Sequence, residues 1–403
     1  MKKDSYLEKL YNSKKPLIIY KVRNGYDLFT DFSEKIILHK KNIDNFFKKV
    51  KKLKKSKPSN KFCNMYIGFF GYQLLCNLIN VKVSRQKNFQ FPMGIFYKPE
   101  TVVKIRKNIT IRSSLRNFRN LFDNKIFNQT KILSPFKINI DFDRYRNIFN
   151  KFLINLREGK TYQIKICTKY KNKSTIDAVS MFWKLMKTNA SPESFMIKDK
   201  NYCIVSCSPE TLIEKKGKFI TTKPIAGTLR KTKNINIRKA HHFFKNNIKE
   251  TKEHNMIVDL ERSDLSKICK YNTVKISKMK YVEEYRHLYH YVSEIRGKLK
   301  ENVTTKDIIT AMMPGGSVIG CPKISTLNLL NQQEKESRNI YTGSFGYINS
   351  ELDMRFNNII RTIINFKGVS EIAVASGVVI DSSAKKEFNE NYIKAKSLIN
   401  LFR

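Results

Sequence analysis

Short alternating apolar runs and longer runs of helical period follow one another along this chain without a regular strand–helix–strand repeat, and this pattern limits the fold more than any other feature. A regular repeat would call for a parallel sheet covered on both faces. Its absence points to a large α+β unit. The 403 residues leave room for two or three ordinary domains or one large one. Phe142, Tyr145, Ile148, Phe149, Phe152, Leu153 and Leu156 recur at helical spacing and predict an amphipathic helix over 141–157. Further helices are expected over 176–187, 238–260 and 384–402. Strand and turn are expected at 64–75 (NMYIGFFGYQLL), one alternating strand toward the end of 92–111, and strands at 162–167 and near Cys203 and Leu212. Lys48–Lys61 reads as a helix end running into an exposed loop, and 113–138 as a polar connection around Pro135. A strand-rich region, 1–135, is expected to pack on a catalytic part, 136–403, as one continuous unit.

Lysine and arginine number 78 against 34 acids, a formal net charge of +44. Such a charge would suit a nucleic-acid or anionic membrane surface. The lysines are spread along the whole length, however, and no RNP-type signature is present. Asn, Ile, Phe and Tyr are abundant too, which is the mark of A/T-rich codons. A basic nucleic-acid-binding protein is the alternative from a different class, and a positive field also favours a small dianionic substrate. The seven cysteines, at 63, 76, 167, 203, 207, 269 and 321, form no CxxC pair. They are expected to be buried small hydrophobes in a reducing compartment rather than zinc ligands. The opening MKKDSYLEKLYNSKK lacks an apolar signal core, and no apolar run approaches membrane-spanning length. The expectation is a soluble, cytoplasmic protein.

Two acid pairs carry the chemistry. Glu250 and Glu253 stand three apart in KETKEHNMIVDLERSDL, and Glu387 and Glu390 three apart in AKKEFNENYIKAKSL, with Lys394 four residues further on. On a helix, each pair shares a face. Spacing alone more often marks a solvated face with intrahelical ion pairs. If the two helices meet, four carboxylates converge and need a cation. Oxygen donors alone point to a hard ion, and Mg²⁺ fits best.

Six stretches, the two acid-pair segments among them, follow in order: PIAGTLR (224–230), the Glu250 segment, PGGSVIGCPK (314–323), YTGSFGYI (341–348), NNIIRTII (357–364) and ASGVVIDSSAKKEF (375–388). Over about 240 residues the chain resembles the chorismate-utilising family of anthranilate, aminodeoxychorismate, isochorismate and salicylate synthases. The resemblance implies an α+β fold with large mixed or antiparallel sheets sandwiched by outer helices. It implies that Glu253 and Glu390 ligate Mg²⁺ and that Glu250 and Glu387 hold its waters. Arg361 and Tyr341 would grip the enolpyruvyl carboxylate, a task that suits a planar guanidinium. Lys394 would lie near the ring carboxylate, Gly377 would let the backbone approach substrate, and Gly227 and Thr228 would line the pocket. His290 would orient or deprotonate the ring intermediate, and Ser317 would supply a hydroxyl where many relatives have threonine. Glu210 would protonate the departing C4 hydroxyl, which needs a carboxyl of raised pKa.

Two residues bear on the branch. Members that add water at C2 carry a lysine base where this chain has Gln163, and an amide cannot act as that base. The aminodeoxychorismate branch resembles PIKGT, whose lysine attacks the ring; here the position is Ala226. The resemblance therefore favours the anthranilate branch, with ammonia as nucleophile and pyruvate eliminated, on the route to tryptophan. Component I of aminodeoxychorismate synthase is the alternative, and PGGSVIG looks closer to that branch. No LLES-type segment is found, and NASPESF (189–195) only loosely resembles the segment that binds feedback tryptophan. With no Gly-x-Cys-x-Gly elbow, the chain is expected to take ammonia from a separate glutaminase subunit.

Overall fold

Antiparallel hydrogen bonding carries the architecture. The computed structural model describes residues 3–53, 64–83, 91–115, 130–232, 234–285 and 288–402. The strand Leu17–Val22 pairs with Gly25–Leu38 on one side and with Glu193–Lys198 on the other. On the second side the pairings run on through Tyr202–Ser208, Thr362–Phe366 and Val369–Val378 to the long strand Gln163–Thr175. On the first side they run through Gly94–Ile105, Met65–Phe70, Ser344–Asn349 and Met354–Asn357 to Thr211–Lys216, Phe219–Thr222 and Leu288–Lys298. Strands from the first 105 residues are thus hydrogen-bonded between Glu193–Lys198 and Ser344–Asn349. The expected α+β class and large antiparallel sheet are what the fold contains.

Helices cover the sheet through two large apolar clusters. In one, Phe46, Val50 and Leu53 of the helix Ile43–Leu53 pack on Phe70, Phe96 and Phe356. In the other, Phe182 and Leu185 of the helix Ala178–Asn189 and Leu398 of the terminal helix Ala384–Ile399 pack on Met196, Val205 and Ile372. Burying each such side chain contributes roughly 1.5–3 kcal/mol, so the helices are held by their apolar faces. No helix among the described residues is long and apolar enough to cross a membrane.

Several boundaries differ from expectation. Met65–Phe70 is a strand, but a helix, Tyr72–Leu78, follows it instead of a turn. Gly71 makes this possible, because a Cβ there would stand 2.6 Å from the Met93 carbonyl oxygen. The alternating run over 92–111 is a hairpin, Gly94–Ile105 against Ile109–Ser113. Alternation is the same in both arms, so a period-two pattern does not reveal the turn between them. The strand expected at 162–167 continues to Thr175. The terminal helix stops at Ile399, and a 3₁₀ turn, Asn400–Phe402, follows. Cys76, Cys167, Cys203, Cys207 and Cys269 are buried and Cys321 is half-buried. Cys63, residues 54–61 of the lysine-rich loop and 116–129 of the connection lie outside the described residues.

The most consequential difference lies within 238–260. Instead of one helix there are two, Ile237–Asn246 and Ile248–Ile268. Asn247 leaves the helical region, with φ −85° and ψ 97°, and its side chain accepts from the Glu250 backbone N–H at 3.2 Å. An amide cap therefore starts the helix that carries the first acid pair. Replacing it in Asn247→Ala should lower unfolding stability by about 1 kcal/mol. A shifted urea midpoint would register this, and an unshifted one would show that the cap is not what holds the helix start.

Candidate active site

One cavity of about 350 Å³ gathers side chains from widely separated parts of the chain. The helix Ile248–Ile268 contributes Glu250 and Glu253, and the terminal helix contributes Glu387, Glu390 and Lys394. The strand Gln163–Thr175 contributes Lys165, and its partner Val369–Val378 contributes Ala375 and Gly377. Ala226 and Gly227 come from the strand Ile225–Arg230, and His290 from its neighbour Leu288–Lys298. Glu210, Ser317, Tyr341 and Arg361 complete the wall. Gln163 reaches this group by donating to Glu253. The backbone of Thr228 pairs with His290, while its side chain lies outside the described part of the structure. Residues expected to act together therefore do share one chamber.

On the acid side, Glu253 and Glu390 are each paired with a lysine. Glu253 Oε1 accepts from Gln163 Nε2 at 2.8 Å and from Lys165 Nζ at 3.2 Å. Burial alone would raise the Glu253 carboxyl, but Lys165 and Gln163 more than offset it, so it stands below its ordinary value. Lys165 mirrors this: burial pushes it down, yet the Glu253 carboxylate leaves it raised. On the other helix, Glu390 Oε1 lies 2.6 Å from Lys394 Nζ, which also donates to the Ala375 carbonyl at 3.0 Å. Burial holds Lys394 below its ordinary value despite Glu390. Glu387 accepts from Ser382 Oγ at 2.9 Å. Four carboxylates on facing walls form an oxygen-only donor set that suits a hard divalent ion. Among the described residues no three His, Cys, Asp or Glu side chains stand together at ligating distance, and Glu253 and Glu390 are each tied to a lysine.

Two glycines give this wall its shape. A Cβ on Gly377 would stand 2.7 Å from both Gln163 Nε2 and Lys165 Nζ. A side chain there would drive both donors off Glu253. Gly227 has φ +88°, and a Cβ would meet Phe244 at 2.8 Å and Glu250 Oε2 at 3.1 Å.

Arg361 lines the same cavity. Arg361 sits at φ 51°, a conformation that costs a non-glycine residue on the order of 1–3 kcal/mol unless its surroundings enforce it. Ile359 bonds across to Gly343 and Cys207 donates to the Arg361 carbonyl, so the turn is held on both sides. Among the described residues no carboxylate forms an ion pair with Arg361. A cation in an apolar run, without an ionic partner and facing a cavity, suits an anionic ligand. Tyr341 lines the same cavity, buried against Cys167 and Ala375. Behind Tyr341, the fully buried Arg338 is paired with Glu334 and lies 6.0 Å from the Tyr341 ring and 5.2 Å from Tyr72.

The groups suited to proton transfer line the same cavity. Glu210 is 5% exposed, and burial raises its carboxyl even though Asn358 and Ser317 stabilise the charged form. A raised carboxyl is what a proton donor needs. Asn358 Nδ2 bridges Glu210 Oε2 at 2.9 Å and Ser317 Oγ at 3.2 Å. His290 is buried, and burial with the nearby Arg361 lowers it to about 3. It is therefore a neutral imidazole at any working pH.

Two residues of this chamber were not singled out from the sequence. Lys165 stands two residues after Gln163, so strand alternation alone puts both on one face. Asn358 belongs to NNIIRTII but carries no charge to draw notice.

A family model described as chorismate binding enzyme matches residues 8–400. An anthranilate synthase component I-like protein of Synechocystis is 29% identical over 83% of this chain and 72% of its own length. Component 1 of the Bacillus subtilis aminodeoxychorismate synthase is 34% identical over 63% of this chain and 54% of its own length, so the match spans about half of that relative. The crystal structure of anthranilate synthase component I from Streptococcus pneumoniae superposes with a TM-score of 0.76 over 96% of this chain and 91% of its own, at 24% identity, a likeness of fold.

The buried histidines have a consequence for acid stability. His254 is fully buried against Ser293, and burial lowers it to about 4 from 6.5. Below pH 6.5 the unfolded chain protonates this ring and the folded one does not, so its contribution to stability is lost as pH falls from 6.5 toward 4. Removing it in His254→Gln should flatten the pH dependence of unfolding in that window by about 1 kcal/mol per pH unit. Urea titrations of both proteins at several pH values would check this, and parallel profiles would contradict it.

Proposed function

The chain belongs to the chorismate-binding enzyme family, and on that premise we propose that it aminates chorismate at C2 with ammonia and eliminates pyruvate, giving anthranilate. The observation that carries this reading is that the acid pairs and Arg361 line one cavity, where Ala226 and Gln163 stand in place of the reactive lysines. An alanine methyl cannot attack the ring, which disfavours covalent amine transfer. An amide cannot deprotonate water. Lys165 does stand nearby, but Glu253 holds it as the ammonium form, which has no lone pair to offer.

The residues divide the work by charge. Glu253 and Glu390 would hold Mg²⁺, with Glu250 and Glu387 on its waters; when bound, the metal supplies positive charge for the ring carboxylate. Arg361 and Tyr341 hold the enolpyruvyl carboxylate, and Lys394 and Gly377 border the ring. Glu210, raised by burial and aimed by Asn358, would give its proton to the leaving C4 hydroxyl. His290, kept neutral, can accept the C2 proton as pyruvate departs. Ser317 shares Asn358 with Glu210 and helps fix its carboxyl. Ammonia would come from a separate glutaminase subunit, in keeping with the "component" names of the relatives.

A second reading, component I of aminodeoxychorismate synthase, is favoured by PGGSVIG (314–320) and by the Bacillus relative. Incubation with chorismate, Mg²⁺ and ammonium separates the two. Fluorescent anthranilate, formed without an added lyase, is expected; an accumulating unaromatised amino-ester would favour the second reading. In the same assay Glu253→Gln or Glu390→Gln should lower turnover by at least about 10²-fold. Full activity in either variant would remove the acid-pair site from the mechanism.

A further inference from the structure

The motif comparison gives roles to Gln163 and Lys394 but none to Lys165. We propose that Lys165 is a resident competitor of the metal: its ammonium occupies Glu253 while no divalent ion is bound, keeping the metal site weak until a dianionic substrate arrives. This rests on the metal role proposed above for Glu253 and Glu390.

Three geometric facts converge on it. First, Lys165 Nζ and Gln163 Nε2 both donate to the same oxygen, Glu253 Oε1. Gln163 alone satisfies that atom at the shorter distance, so the lysine is not needed to position the carboxylate. Second, the lysine side chain is only 13% exposed and cannot swing freely into solvent. Its charge stays in the chamber whether or not it touches Glu253. Third, Gly377 faces Lys165 across the strand pair, and its missing side chain leaves the room that Nζ occupies. Space has been left for this cation beside the acids.

A divalent ion entering between Glu253 and Glu390 must approach a fixed positive charge at a few ångströms. In a partly buried site such repulsion is large compared with thermal energy. Lys394 on Glu390 adds to it. A substrate carrying two carboxylates brings the missing negative charge, so metal and substrate should each strengthen the other's binding by the same factor. Lys165 thereby sets the order of assembly: the bare enzyme takes up metal poorly, and the complete complex holds it well.

The test is titration of Mn²⁺, a spectroscopically visible substitute for Mg²⁺, into the full-length protein, followed by calorimetry and electron paramagnetic resonance, with and without chorismate. Lys165→Met keeps the length of the side chain and removes its charge; Lys165→Arg keeps the charge. Without chorismate, Lys165→Met should bind Mn²⁺ at least about tenfold more tightly than the wild type, with Lys165→Arg close to the wild type. The gain from adding chorismate should shrink in Lys165→Met. Equal or weaker Mn²⁺ binding by Lys165→Met, while the wild type binds Mn²⁺ with chorismate present, would overturn the role of Lys165 alone. A wild type that binds no Mn²⁺ even with chorismate would overturn the metal reading beneath it as well.

Discussion

Like charge gathered in a buried cavity is the constraint on which the rest of this structure depends. Glu250, Glu253, Glu387 and Glu390 line one chamber of about 350 Å³, where field lines pass largely through protein. Such a group cannot persist without compensation. The chain compensates locally, with Lys165 and Gln163 on Glu253 and Lys394 on Glu390. The same balance explains why two glycines stand against the acids, since a methyl at Gly377 would displace both donors. Arg361 lines the same cavity without an ionic partner among the described residues. It suits one carboxylate of a small dianion, and a metal held by the acids would suit the other.

The sheet exists, from the site's point of view, to hold these charges on rigid walls. Lys165, Gly377, Ala226 and His290 all lie on paired strands, and the two acid pairs lie on helices packed against those strands. Buried polar networks stiffen the frame further. Lys169 is enclosed by Glu371 and the Ser337 carbonyl, and Glu193 joins Tyr20, Thr211 and Arg355. Arg338 with Glu334 backs the Tyr341 ring from below. Breaking one partner of such a buried pair typically costs 3–5 kcal/mol, so these clusters hold the turn carrying Tyr341 and its surroundings in one arrangement.

How much of this the sequence disclosed depended on contrast. The acid pairs stood out because acids are scarce in this chain, and Arg361 because it interrupts an apolar run. Their convergence could not be read from spacing, since it rests on strands paired across two hundred residues, such as Lys165 with Gly377 and Met65 with Asn349. Lys165 escaped notice for the opposite reason. Among 78 basic residues one more lysine carries no signal, although its alternation with Gln163 was visible. Asn247 broke a helix that hydrophobic period alone would carry straight through, because a cap is a local hydrogen bond and not a pattern. The hairpin at Arg106–Asn108 was missed for a similar reason, its two arms sharing one alternation. Asn358, which aims Glu210, is an uncharged amide, and only the fold reveals its role.

The central claim is that metal and dianion complete a single charge-balanced site. Calorimetric titration of chorismate into the protein, once with Mg²⁺ removed by chelator and once at saturating Mg²⁺, tests it most directly. The account predicts at least about a tenfold gain in chorismate affinity when Mg²⁺ is present. Equal affinity under the two conditions would contradict it, because the metal would then add nothing to the hold on the ring carboxylate of the substrate.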